Sequence, residues 1–160
     1  MCTRIVVMGD SRTGKTEFAY LATRVPVPLN IYKSTDVEHF QLRGAYSVAD
    51  VAVVPGCADD AMLRAACQGA TGVIVLYKNN VTGARRWLNR ANATSVPILV
   101  CAHASAAPPG RRVREILQHY VTAEHTCTSP LYATGIIDCL NRIVLRARRE
   151  MPSPLGGAIG

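Results

Sequence analysis

A chain of 160 residues suffices for one domain, is too short for two ordinary ones, and can bury a core without help from disulfides or metal. With 49% hydrophobic and 18% charged residues it is not a disordered chain, and its 12 Gly and 9 Pro follow no period that would mark collagen or a linker. The net charge of +7 is carried mostly by Arg, since Lys15, Lys33 and Lys78 are the only Lys, and no aromatic-rich basic module accompanies it, so no nucleic-acid partner is expected.

Ile5 to Val7 is a short apolar run, expected as a buried strand ending at Gly9. Phe18, Leu21 and Ala22 then repeat at helical spacing over Thr16 to Thr23, and Pro26 and Pro28 stop that helix. A loop over 29–36 leads to two strands, Val37 to Arg43 and Tyr46 to Val54, joined as a hairpin at Gly44. Asp59 to Gln68 predicts a helix with Met62, Leu63 and Ala66 inward; Asp59 and Asp60 open it as partners of the helix dipole. Val73 to Tyr77 is a second buried strand, and Ala84 to Ala93 a helix bearing the sole Trp, Trp87. Ile98 to Cys101 and His125 to Thr128 are expected as strands, separated by a helix over Arg111 to Tyr120. The last helix, Thr134 to Arg149, carries an inner stripe of Ile136, Leu140, Ile143, Val144 and Ala147, with Arg142, Arg146 and Arg149 outward.

Alternation of strands and helices with one inserted hairpin predicts an α/β sheet covered on both faces, mostly parallel, with one antiparallel edge strand. About six strands and five helices are expected. The domain should span 1–151, with 152–160 a frayed tail. No apolar run nears the 18 or so residues of a membrane helix, and MCTRIVVMGD lacks a signal-peptide layout. A cytoplasmic location is therefore expected, with the six Cys as free thiols and no zinc site. Cys57, with no His near it in sequence, is expected to be inert.

One motif carries chemistry. Gly9, Asp10, Ser11, Arg12, Thr13, Gly14, Lys15 and Thr16 satisfy G-x-x-x-x-G-K-[ST] in full, between an apolar strand and a helix. Chance produces this string about once in 200 chains of such length. Such a loop turns backbone N–H groups toward a phosphate chain, and the helix start adds partial positive charge. Lys15 is placed to reach phosphate oxygens and the Thr16 hydroxyl to bind Mg²⁺.

The stretch GDSRTGKT resembles the first motif of the Ras-like small GTPases, closest to Rab-type members. Further resemblances follow in order. Tyr32 to Thr35 is similar to the first switch, which implies Thr35 as a second metal and phosphate ligand. Val53 to Gly56 falls where the family has Asp-x-x-Gly, which implies Gly56 at the phosphate. Thr71 to Asn80 and Val96 to Val100 resemble central strands. Ala102 to Ser105 stands at the base-reading motif and Ser129 at the Ser-Ala-Lys loop, which implies His103, Ser105 and Ser129 beside the base. The resemblance spans residues 3–149. It implies a P-loop NTPase sandwich of the small-GTPase type that binds GTP or another nucleoside triphosphate with weakly held Mg²⁺.

Departures from the family pattern fall on catalysis and base reading. The metal-shell Asp of the second switch is Val53, and the water-orienting Gln is Cys57. Ser105 stands where an Asp would take both donors of guanine, and Pro130 removes a backbone N–H. Hydrolysis is thus expected to be impaired or absent. The output expected is binding of an effector-type protein through residues 30–40 and 56–68, by a monomer without a stable membrane anchor. Two alternatives stay open: a nucleotide-free pseudo-GTPase, and a small P-loop ATPase or nucleotide kinase.

Overall fold

The computed structural model describes residues 3–11, 13–23, 35–43, 48–78, 81–103, 111–119, 123–128 and 133–150. The expected proline stop at Pro26 and Pro28, the Gly44 turn and the 152–160 tail lie outside these residues. The elements in chain order are β1 (Thr3–Met8), α1 (Lys15–Thr23), β2 (Glu38–Arg43), β3 (Val48–Val53), α2 (Asp60–Cys67), β4 (Gly72–Tyr77), α3 (Val81–Asn92), β5 (Ile98–His103), α4 (Arg111–Leu117), β6 (Ala123–Thr128) and α5 (Ala133–Glu150). This is an α/β chain whose six strands form one sheet in the order β2-β3-β1-β4-β5-β6. Every neighbouring pair is parallel except β2–β3, the antiparallel hairpin at one edge.

Strands this apolar need cover on both faces, because a pleated strand turns alternate residues to opposite sides. The packing obeys that rule residue by residue. Ile5, Val7, Val51, Val53, Ile74, Leu76, Leu99 and Cys101 meet Phe18, Ala19 and Ala22 of α1 and Ile136, Cys139, Leu140 and Ile143 of α5. The intervening Val6, Met8, Val73, Val75, Tyr77, Ile98 and Val100 meet Leu63 and Ala66 of α2 and Ala84, Trp87, Leu88 and Ala91 of α3, with Ile116 and Leu117 of α4 at the margin. All six residues of β4 are buried, as expected for an interior strand. α5 lies so close to β4 that a Cβ on Gly72 would stand 2.8 Å from Ile143 Cγ1.

The α5 arginines correct one expectation. Arg146 is not on an outer face: its side chain is 17% exposed, donates to the Ile98 carbonyl at 3.1 Å and pairs with Glu124. Arg142 reaches the same carboxylate at 3.4 Å. Glu124 thus ties α5 to β6, and these two cations serve the fold.

Asp59 behaves as a helix cap. Its carboxylate accepts from Met62 N–H at 2.8 Å, which satisfies one of the unpaired donors of the first turn of α2. Asp59→Ala should cost about 1 kcal/mol, read as a lower urea midpoint at unchanged slope.

Candidate phosphate-binding loop

The connection between β1 and α1 leaves the carboxyl end of a strand at the centre of the sheet. From β1 the chain passes to α1 on one face; from the adjacent β4 it passes to α3 on the other. Such a divergence opens a crevice, the usual ligand position in open α/β sheets. The loop itself is built on two glycines. Gly9 has φ +155°, and a Cβ there would stand 2.3 Å from the Leu76 carbonyl oxygen of β4. Gly14 has φ +84° and hands the chain to α1, with its carbonyl accepting from Phe18 N–H at 2.8 Å.

Asp10 holds this loop from both ends. Its backbone carbonyl accepts from Lys15 Nζ at 2.7 Å and from Thr13 Oγ1 at 2.9 Å. Its carboxylate accepts from the indole N–H of Trp87 at 2.9 Å and from the guanidinium of Arg86, both on α3. Gly56 abuts the loop: a Cβ there would stand 2.4 Å from the Ser11 nitrogen, so only a bare backbone fits against it.

Lys15 is 7% exposed. Burial lowers its pKa from 10.5 to about 8; the charges of Asp10, Cys57 and Glu38 pull the other way without cancelling it. An ammonium held in this manner, opposite a carbonyl, gains most from an incoming anion. Thr16, the next residue, donates its hydroxyl to Glu38 Oε1 at 2.7 Å.

The expected site residues are distributed as follows. Gly9, Asp10, Ser11, Thr13, Gly14, Lys15 and Thr16 form the loop and the start of α1; Gly56 abuts it. Thr35 is exposed, and His103 ends β5. Arg12, Ser105 and Ser129 lie outside the described residues, as does 30–34 of the expected partner surface. Val53 is 2% exposed and belongs to the α1-side core. Cys57 is exposed, and Cys57, Cys67, Cys101 and Cys139 are free thiols. No group of three or more metal-ligating side chains of the His, Cys, Asp or Glu type occurs among the described residues.

Four residues of the site gave no motif signal. Arg86 and Trp87 reach Asp10 across the chain. Arg90 stacks on Trp87 at 4.5 Å and donates to the Ala58 carbonyl at 3.0 Å and to Asp60 at 3.3 Å, which tethers the start of α2 to α3. The fourth is Glu38, which hairpin register alone could have shown, because it stands directly opposite Val53. A separate cleft of about 300 Å³ between α3 and α4 is lined by Arg85, Arg112, Glu115, Ile116 and His119 and includes no loop residue.

No protein-family model matches the sequence, and no curated protein matches it either. No helix among the described residues is long and apolar enough to cross a membrane.

The lowered pKa of Lys15 has a consequence for stability. Between about pH 8 and 10.5 the unfolded chain keeps a proton that the folded chain has released, so this group makes stability rise with pH across that window. Lys15→Met removes the buried charge and keeps the stem. Without ligand it should be more stable than wild type at pH 7, by about 2 kcal/mol once the lost hydrogen bond to Asp10 is subtracted. The gap should shrink as pH rises from about 8 and close or reverse before about 10.5. Urea unfolding across pH measures it, and a less stable Lys15→Met at pH 7 would show that burial of the ammonium costs little.

Proposed function

We propose that this chain is a small-GTPase-like protein that binds a nucleoside triphosphate on the Gly9–Thr16 loop, hydrolyses it slowly or not at all, and acts by presenting residues 30–40 and 56–68 to a protein partner. The observation that carries the reading is the loop itself: a complete G-x-x-x-x-G-K-T motif at the crevice of a mostly parallel sheet, with its lysine buried. The finer fold, a P-loop NTPase sandwich of the small-GTPase type, is supported by the six-strand order with a single antiparallel edge hairpin.

The residues fit a polyphosphate. Gly9 and Gly14 take backbone conformations that other residues rarely adopt, the N-terminus of α1 faces the loop, and the Lys15 ammonium stands ready to leave the Asp10 carbonyl for a stronger anionic partner. Bound Mg²⁺ would neutralise phosphate charge, and the hydroxyls of Thr16 and Thr35 are the donors that the resemblance offers it. The tether from Arg90 to Ala58 and Asp60 favours a second segment that stays in one arrangement rather than cycling. A second reading is favoured by the partners that Lys15 and Thr16 find within the chain, Asp10 and Glu38: a nucleotide-free interaction module of the same fold.

GTP and ATP should each raise the melting temperature of wild type and leave Lys15→Met unmoved. Trp87, bonded to the loop through Asp10, should report the same binding by fluorescence. Ligand binding requires the charged ammonium, so affinity should fall as pH rises through about 8. GTP and ATP affinities should differ far less than the roughly 10⁴-fold selectivity that a dedicated hydrogen-bond pair confers. Equal thermal shifts in wild type and Lys15→Met would remove the site.

Turnover tests the rest. With Val53 unable to orient metal-bound water and Cys57 a poor substitute for an amide, single-turnover phosphate release should be at or below the order of 10⁻⁴ s⁻¹ of an unassisted small GTPase. Release at about 10⁻² s⁻¹ or faster without a partner would return the protein to the active GTPases.

A further inference from the structure

We propose that Glu38 of β2 supplies the carboxylate for the Mg²⁺ shell that Val53 cannot supply, so that the metal-anchoring acid has moved one strand outward in the sheet. The proposal rests on the nucleotide-binding reading above and adds a residue to it.

Two observations meet at Glu38. The first is register. Glu38 stands directly across the antiparallel ladder from Val53, and directly opposed residues on such a ladder project to the same face. That face is the one covered by α1, since Val53 packs with Phe18 and Ala19, and Phe40 and Leu42, two and four residues along β2, pack against the same cluster. A carboxylate at 38 is therefore displaced by about one strand spacing, 4.7–4.9 Å, from a carboxylate at 53. The Glu side chain is one methylene longer than Asp, which recovers part of that distance.

The second is contact. The Thr16 hydroxyl, which the loop motif assigns to the metal, donates to Glu38 Oε1 at 2.7 Å, and both residues are half-buried. This contact spans 22 positions of sequence and joins α1 to an edge strand whose Val53-facing end carries the acid.

The chemistry of the pair suits a hard cation. A hydroxyl oxygen and a carboxylate oxygen are the donors Mg²⁺ takes from protein, and it ordinarily binds through one or two carboxylates together with phosphates and water. Neutral Val53 contributes nothing to such a shell. A Glu38 that served the fold alone would act as a hydrogen-bond acceptor for Thr16 at the start of α1, and a Gln would do this equally well.

That difference sets the experiment. Affinity for GTP is measured by Trp87 fluorescence in saturating Mg²⁺ and in EDTA, on wild type, Glu38→Gln and Glu17→Gln. Glu38→Gln keeps the shape and an acceptor for the Thr16 hydroxyl, so it should fold; its melting temperature checks that. Glu17→Gln removes a charge one residue from Thr16 without touching the pair. The gain in affinity on adding Mg²⁺ should drop about 10- to 100-fold in Glu38→Gln and stay unchanged in Glu17→Gln, while binding in EDTA persists in all three. An equal Mg²⁺ gain in wild type and Glu38→Gln overturns the proposal and leaves the nucleotide site standing. An equal loss in Glu17→Gln overturns it too, as a general charge effect. Tighter binding by Glu38→Gln in both conditions, with the gain intact, makes Glu38 a competitor of phosphate and overturns it as well. Absence of GTP binding to wild type in both conditions removes the parent reading, and this proposal with it.

Discussion

Asp10 is the residue on which the loop depends. Its carbonyl receives the ammonium of Lys15 and the hydroxyl of Thr13, so it fixes the turn from within. Its carboxylate receives Trp87 and Arg86, so it fixes the turn to a helix on the far face of the sheet. A loop that must keep two glycines in rare backbone conformations needs such outside support, because nothing in the glycines themselves selects one shape. The bonds reach both layers of helices from the loop at the sheet's centre.

Much of the fold was legible because the sheet is parallel and doubly covered. Its strands are continuous apolar runs such as Gly72 to Tyr77, and short runs bounded by Gly, Pro and polar residues announce themselves. The β2–β3 pair was legible as two strand-like segments, and the β1–α1 turn from its glycines between an apolar run and a helix. What stayed hidden depends on register and reach. The partnership of Asp10 with Trp87 links positions 77 apart, and no local pattern encodes it. Arg146 looked like a surface cation on an amphipathic helix, but its length lets it fold back to the Ile98 carbonyl and Glu124. Nothing in the predicted strand Val37 to Arg43 singled out Glu38; only its position opposite Val53 gives it meaning.

The interior also shows a division of labour between its two layers. The α1–α5 side holds the Thr16–Glu38 contact and the adjacent thiols of Cys101 and Cys139, whose contact and burial push the Cys139 thiol well above its usual range. That thiol is held in its protonated, unreactive form. The α2–α3 side holds the ion-pair and cation–π contacts of Arg86 and Arg90, and the Tyr77 hydroxyl beside His125 Nε2 at 2.7 Å. Burial lowers the His125 pKa, so a neutral ring is the form that meets the phenol.

The central place of β1 has a consequence for synthesis. Its partners in the sheet are residues 48–53 on one side and 72–77 on the other, so β1 pairs with segments made later than itself. The β2–β3 hairpin closes a short loop and can pair as soon as it emerges, whereas β1 must wait for both flanks and the long-range loop closures they require. Until both flanks are made, the apolar run of Ile5 to Met8 stays on the nascent chain without its sheet.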